Sequence, residues 1–146
     1  MTMLEPGIYS ASASVHELAG IRAFVFERLT SQGLDSNTAQ SLCLAVDEAC
    51  SNIILHGKDL NASRLIIDVE YSSGLCRIRI KDNAKTFDPN SVKSPDMISY
   101  FKNFSYGGLG IELMRRIVDG MIYEQADAKN QWNTLLLHKY IHSPRN

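Results

Sequence analysis

The chain has 146 residues, 45% apolar and 21% charged, an ordinary globular composition with enough length for a core that needs no staples. Fifteen Lys and Arg against sixteen Asp and Glu leave a formal charge of −1, which removes any broad electrostatic case for nucleic acid or an anionic membrane. No apolar run approaches the roughly 20 residues that span a bilayer and no signal-peptide pattern opens the sequence, so one cytoplasmic domain over residues 1–146 is expected. Cys43, Cys50 and Cys76 lie in apolar periodic segments with no C-x-x-C spacing, the pattern of buried reduced thiols.

Gly7 to Ala11 is expected as a short edge strand. Ser14-Val-His-Glu17 is a capping-box pattern; the helix it opens runs to about Gln32, carries Leu18, Ile21, Val25 and Leu29 on one face, and stops at Gly33. A second helix is predicted from about Ser36 to His56, with Leu42, Val46, Ala49 and Ile53 as its apolar face. Two alternating runs around Ser73-Gly74 then predict a hairpin of Arg64–Tyr71 and Cys76–Lys81. Asp88 to Tyr106 shows no clean period and reads as a long loop, which in a small domain is a functional or mobile element. The segment "GGLGIELMRRIVDG" reads as glycine turn, helix and stop, and "MIYEQAD" with "WNTLLLHKYI" as a closing hairpin. Strands gather in one layer and helices in the other, an α+β two-layer sandwich.

Three segments carry chemistry. In "LAVDEACSNIILHG" the residues Glu48, Asn52 and His56 stand four apart and form a polar stripe beside the apolar one. Glu and Asn oxygens suit a hard cation such as Mg²⁺, which takes one or two protein ligands plus water and phosphate; the same stripe is also the pattern of a solvated helix edge. In "IRIKDNAKTFDP" a strand delivers Asp82 at its end, where a carboxylate accepts from an exocyclic amine or caps the local turn. "GGLG", Gly107 to Gly110, opens a helix whose inner face is Ile111, Met114 and Val118. Such glycines let backbone N–H groups approach phosphate, and a helix N-terminus adds a favourable dipole. The box lacks the G-K-[ST] of a P-loop and does not directly follow a strand, which disfavours both a P-loop and a dinucleotide fold.

The order of these boxes resembles the Bergerat-type ATPase domain, the fold of histidine kinases and DNA gyrase, and within it the small anti-sigma factors that act as serine protein kinases. "LAVDEACSNIILHG" resembles their N-box, "IKDNAKTFDP" their first glycine box and "GGLGIELMRRIVD" their second. The resemblance extends from the first helix to Thr134. It implies ATP and Mg²⁺ as cofactors. Asn52 would ligate the Mg²⁺ that bridges the phosphates, and Glu48 would be the general base that deprotonates the attacking hydroxyl. Asp82 would accept from the adenine amino group; Ala84, Phe87 and Leu109 would contact nucleotide, and Gly108 and Gly110 would line the phosphates. Asp88–Tyr106 would be the ATP lid. Thr134 would stand beside Asp82, with Asn133 where the family often carries glycine. A further departure is Asp82-Asn83-Ala84 in place of Asp-x-Gly, where an alanine fits if its φ is negative.

The implied fold is a mixed, mostly antiparallel sheet with helices on one face. The implied function is an ATP-binding anti-sigma-type regulator that phosphorylates Ser or Thr of a small antagonist (anti-anti-sigma) protein and binds a sigma factor or similar partner. A homodimer is expected, with no direct nucleic-acid or membrane contact. Two alternatives stand beside it. One is a non-catalytic interaction module of the same fold with weak or no ATP binding, motivated by Ala84. The other is a stand-alone ATPase domain of a histidine phosphorelay, for which the segment around His16 lacks the downstream proline and acceptor hairpin.

Overall fold

The computed structural model describes residues 2–5, 7–56, 63–84 and 108–141. Strands β1 (Thr2–Glu5) and β2 (Ile8–Ser12) precede a 3-10 turn over Val15–Glu17, helix α1 (Leu18–Ser31) and helix α2 (Ser36–His56). The hairpin of β3 (Arg64–Ser72) and β4 (Leu75–Asp82), helix α3 (Gly108–Ile117) and the hairpin of β5 (Gly120–Glu124) and β6 (Asn133–Tyr140) complete the described chain. The strands form one six-stranded sheet in the order β1-β2-β3-β4-β6-β5. Every pairing among the described residues is antiparallel, in line with the mostly antiparallel sheet that was expected.

The start of the chain departs most from expectation. The strand expected as an edge at Gly7–Ala11 is β2, Ile8–Ser12, and it lies inside the sheet between β1 and β3. β1 is four residues long, too short for an alternating pattern to show in sequence. The capping box forms by half. Ser14 Oγ accepts from the His16 N–H at 3.2 Å, but Glu17 is taken by the Ser12 hydroxyl at 3.4 Å, and a 3-10 turn therefore precedes α1. α2 and the β3–β4 hairpin match closely. The two-residue turn has φ of 51° at Ser73 and 75° at Gly74, the left-handed pair that matches strand twist.

Strand alternation divides the sheet into two faces. One carries Leu65 and Ile67 of β3, Ile78 and Ile80 of β4, and Leu135 and Leu137 of β6, all nearly or fully buried. Against it pack Ile21, Val25 and Leu29 of α1, Leu42, Val46 and Ala49 of α2, and Ile111 and Met114 of α3, the apolar faces that the helical periods predict. Each such Ile or Leu contributes about 1.5–3 kcal/mol by leaving water. The other face carries charge, as where Arg79 lies 3.7 Å from Asp68 and 3.6 Å from Glu70. The three cysteines are free and buried, as expected. Burial pushes Cys43 and Cys76 up to about 11 and Cys50 further still, so these thiols stay protonated and inert. No helix among the described residues is long and apolar enough to cross a membrane.

Candidate functional site

The antiparallel register sets the site. β4 ends at Asp82 and β6 begins at Asn133, and the two are direct partners in the ladder. The middle of α2 and the beginning of α3 come together beside them. Ala49, Asn52 and Ile53 of α2, Asp82 of β4, Met114 of α3, Tyr123 of β5 and Leu135 of β6 line one largely apolar pocket.

Asp82 is 4% exposed and burial raises its carboxyl above the usual range. Two donors oppose that shift. Asn133 Nδ2 donates at 3.1 Å and the Ala84 N–H at 2.9 Å, both to Oδ1. No hydrogen bond from the described residues accompanies these two at the second carboxylate oxygen, Oδ2, and Asp82 is one of the residues that line the pocket. The slot is apolar along its length and carries one carboxylate, a group that accepts hydrogen bonds when ionised.

Asn52 is 5% exposed, which removes the solvated-edge reading of the helix stripe at this position. Among the described residues its Nδ2 is buried without a hydrogen-bond partner. Such an orphan in a native fold costs about 1–3 kcal/mol, which a ligand acceptor would recover. The side chain of His56 lies outside the described residues.

Glu48 is half-buried one turn before Asn52. Its neighbour Asp47 takes the nearby cation, with Arg22 Nη1 at 2.6 Å from Asp47 Oδ1. Glu48 is thus left without that counter-charge, and burial first, then the Asp47 carboxylate, raises its pKa. A glutamate raised in this way is suited to accept a proton near neutral pH.

Gly110, in the first turn of α3, faces Glu48. A methyl group built on Gly110 would overlap Glu48, Oε2 first and then Cδ at 3.2 Å. The absence of a side chain there lets the carboxylate lie against the start of the helix, where its dipole favours negative charge. Gly108 and Leu109 begin that helix. Glu48, Asn52, Asp82 and Gly110 are therefore drawn to one end of the sandwich. Phe87 and the whole expected lid, Asp88–Tyr106, lie outside the described residues.

Two expectations change. Ala84 was the reason to doubt nucleotide binding, but among the described non-glycine residues only Ser73 has a positive φ. Alanine therefore needs no strained backbone at this turn. Thr134 pairs with Lys81, one step out of register with Asp82, so strand alternation turns its side chain to the opposite face of the sheet. The residue beside Asp82 is Asn133, noted in the sequence only as a replaced glycine. Its ladder position opposite Asp82 is the signal that would have found it.

The chain matches the model of the histidine kinase-like ATPase domain over residues 11–138. It is 28% identical over 98 residues to the serine/threonine-protein kinase BtrW of Bordetella bronchiseptica, covering 66% of this chain and 67% of that protein. It is 25% identical over 124 residues to the serine-protein kinase RsbW of Bacillus cereus, covering 78% of this chain and 75% of that one. A crystal structure of the RsbU and RsbW domains of a Mycobacterium tuberculosis protein shares the fold, with a TM-score of 0.63 at 15% identity over 94% of this chain. The chain spans 33% of that longer protein. With a family match over most of its length and the N-box, strand-end aspartate and glycine-opened helix converging on one pocket, the chain belongs to the histidine kinase-like ATPase domain family.

Proposed function

We propose that the protein binds Mg²⁺ and ATP and transfers the terminal phosphoryl group to a serine or threonine of a small antagonist protein, as an anti-sigma-type regulator. The observation that carries this reading is the buried Asn52 side chain, whose Nδ2 has no partner among the described residues, in one pocket with the half-engaged Asp82 carboxylate. An apolar slot accepts the purine between them, Asp82 Oδ2 accepts from its amino group, and Asn52 meets the phosphate end.

The donor set fits the cation. Asn52 Oδ1 is a hard oxygen on a fixed helix, and Mg²⁺ takes few protein ligands because phosphate and water fill the rest of its shell. When bound, the ion neutralises charge on the transferring phosphoryl group. The remaining work belongs to side chains. Glu48, without the Arg22 counter-charge and raised by burial, takes the hydroxyl proton of the acceptor. The first turn of α3 offers N–H groups and its dipole to phosphate oxygens.

The kinase names of BtrW and RsbW support the transfer step, and the family resemblance supports a sigma factor or similar protein as second partner, with the chain acting as a homodimer in a cytoplasmic setting. The test is incubation with Mg-ATP and candidate antagonist proteins, followed by mass spectrometry of the products. Phosphoserine or phosphothreonine on one antagonist is expected, and Asn52→Ala loses both Mg²⁺-dependent ATP binding and transfer. Absence of Mg²⁺-dependent ATP binding in the wild-type protein overturns the reading.

A further inference from the structure

The Asn133 side chain is 1% exposed, and its amide is bonded to Asp82, Ala84 and Ala126. Oδ1 accepts from the Ala126 N–H at 2.9 Å, which ties down the segment between β5 and β6. Nδ2 donates to Asp82 Oδ1 at 3.1 Å and to the Ala84 carbonyl at 3.1 Å. The turn is held from its other side by Asn83, whose Oδ1 accepts from the Arg64 N–H at 2.7 Å. Ala84 and Asn133 are also the two positions at which the chain departs from the boxes it resembles, and here they are bonded to each other.

We propose that Asn133 is a specificity-determining positioning residue, whose amide engages one oxygen of Asp82 so that the other is presented to the amino group of an adenine ring. This role rests on the ATP reading above. A carboxylate hung at a strand end can rotate about χ2 and offer either oxygen, or both, to a ligand. Two donors fixed on Oδ1, one from the backbone of Ala84 and one from the opposite strand, select one rotamer and leave Oδ2 as the acceptor. Donors to the charged form also keep a buried carboxyl ionised, and only the ionised form is purely an acceptor. A protonated Asp82 would present a hydroxyl donor to the amino group of adenine and suit a carbonyl-bearing purine equally well. Of the other titratable groups, the Cys50 thiol of α2 interacts with Asp82 and is raised by burial, so it remains neutral and leaves Asp82 as the ionising group here.

The test compares Mg-ATP with Mg-ITP, which carries a carbonyl in place of the amino group and the same triphosphate, by calorimetric titration of wild type, Asn133→Ala and Asn133→Asp. Wild type prefers ATP. Asn133→Ala weakens ATP by about tenfold, equivalent to about 1.4 kcal/mol, while ITP affinity stays within about twofold. The isosteric Asn133→Asp sets two carboxylates against each other; with one shared proton the second carboxyl again donates to Asp82, so ATP affinity recovers as pH falls from about 8 to about 6 while wild type stays flat. Equal losses of ATP and ITP in the alanine variant, or a flat profile in the aspartate variant, overturn the role of Asn133. A carboxyl-carbon NMR titration without nucleotide supplies the independent arm: the Asp82 midpoint rises in Asn133→Ala, and an unmoved midpoint overturns the pairing. Wild type that binds neither nucleotide overturns the ATP reading and the selectivity with it, whereas a moved Asp82 midpoint in that case still separates the failure from one of geometry.

Discussion

The two ends of the pocket are built in opposite ways. At the proposed purine end most polar atoms are engaged by the protein: Asp82 Oδ1 has two donors, Ala84 has its N–H and carbonyl bonded, and both atoms of the Asn133 amide have partners, which leaves only Asp82 Oδ2 without a described bond. At the proposed phosphate end the Glu48 carboxylate has no hydrogen bond among the described residues and Asn52 Nδ2 is an orphan among them. The first arrangement is rigid before any ligand arrives, because each bond constrains its neighbours. The second carries a cost in the free protein that a bound acceptor would recover.

The contrast can be broken first at its phosphate end. Glu48→Gln keeps the shape and hydrogen-bonding reach of the side chain but removes the base. Phosphoryl transfer is expected to fall by about 10² or more with Mg-ATP affinity unchanged, measured by single-turnover kinetics beside calorimetry. Equal rates in both proteins would take Glu48 out of the mechanism. Gly110→Ala comes next. The added methyl must displace the Glu48 carboxylate, a flexible end that can move, so the fold survives and the base is misplaced. Transfer is expected to fall by about tenfold or more at a nearly unchanged melting temperature, on the scale of about 1 Å misplacement.

The purine end answers in stability. Burial raises Asp82, so the folded state holds its proton more tightly than the unfolded chain does. The cost of ionising it within the fold is absent below the ordinary carboxylate range and complete above the raised value. Asp82→Asn removes that cost. Its melting temperature should exceed that of the wild type near neutral pH, with the gap closing as pH falls through the carboxylate range, while adenine preference is lost. A gap that widens in acid would reverse the sign of the shift. The smallest effect belongs to Ala84→Gly. Because Ala84 has no positive φ, glycine relieves no strain and only adds freedom to the unfolded chain, a loss of about 0.4–1 kcal/mol with ATP affinity unchanged. Clearly tighter ATP binding by Ala84→Gly would show that the methyl obstructs the ring.

The sequence carried the helices and their inner faces well, because period and punctuation agree locally: α2 runs Ser36–His56 as its caps and apolar spacing predict. The hairpin at Ser73-Gly74 was legible for the same reason. What could not be read is what depends on pairing between distant segments. β1 is silent in sequence because four residues hold no period, and β2 becomes an inner strand only through its partners. Likewise the motif directs attention to Thr134, yet the ladder places Asn133 opposite Asp82 and turns Thr134 away. Glu48 stood out as an acid amid apolar residues, but that Asp47 takes Arg22 from across the helix pair needs the packing of α1 on α2.

The one-sided layering of the sheet has an evolutionary reach. On β4 and β6 the residues that face the helices, Ile78, Ile80, Asp82, Asn133, Leu135 and Leu137, answer to core and pocket together, while Arg79, Lys81, Thr134 and Leu136 between them answer to neither. Consecutive letters of the chain thus belong to separate inheritances. The outward set, with Ile122 and Tyr140 about half exposed, can drift toward new surroundings one substitution at a time without disturbing the inward set. A lineage built on this plan can change what it touches while keeping the pocket it started with.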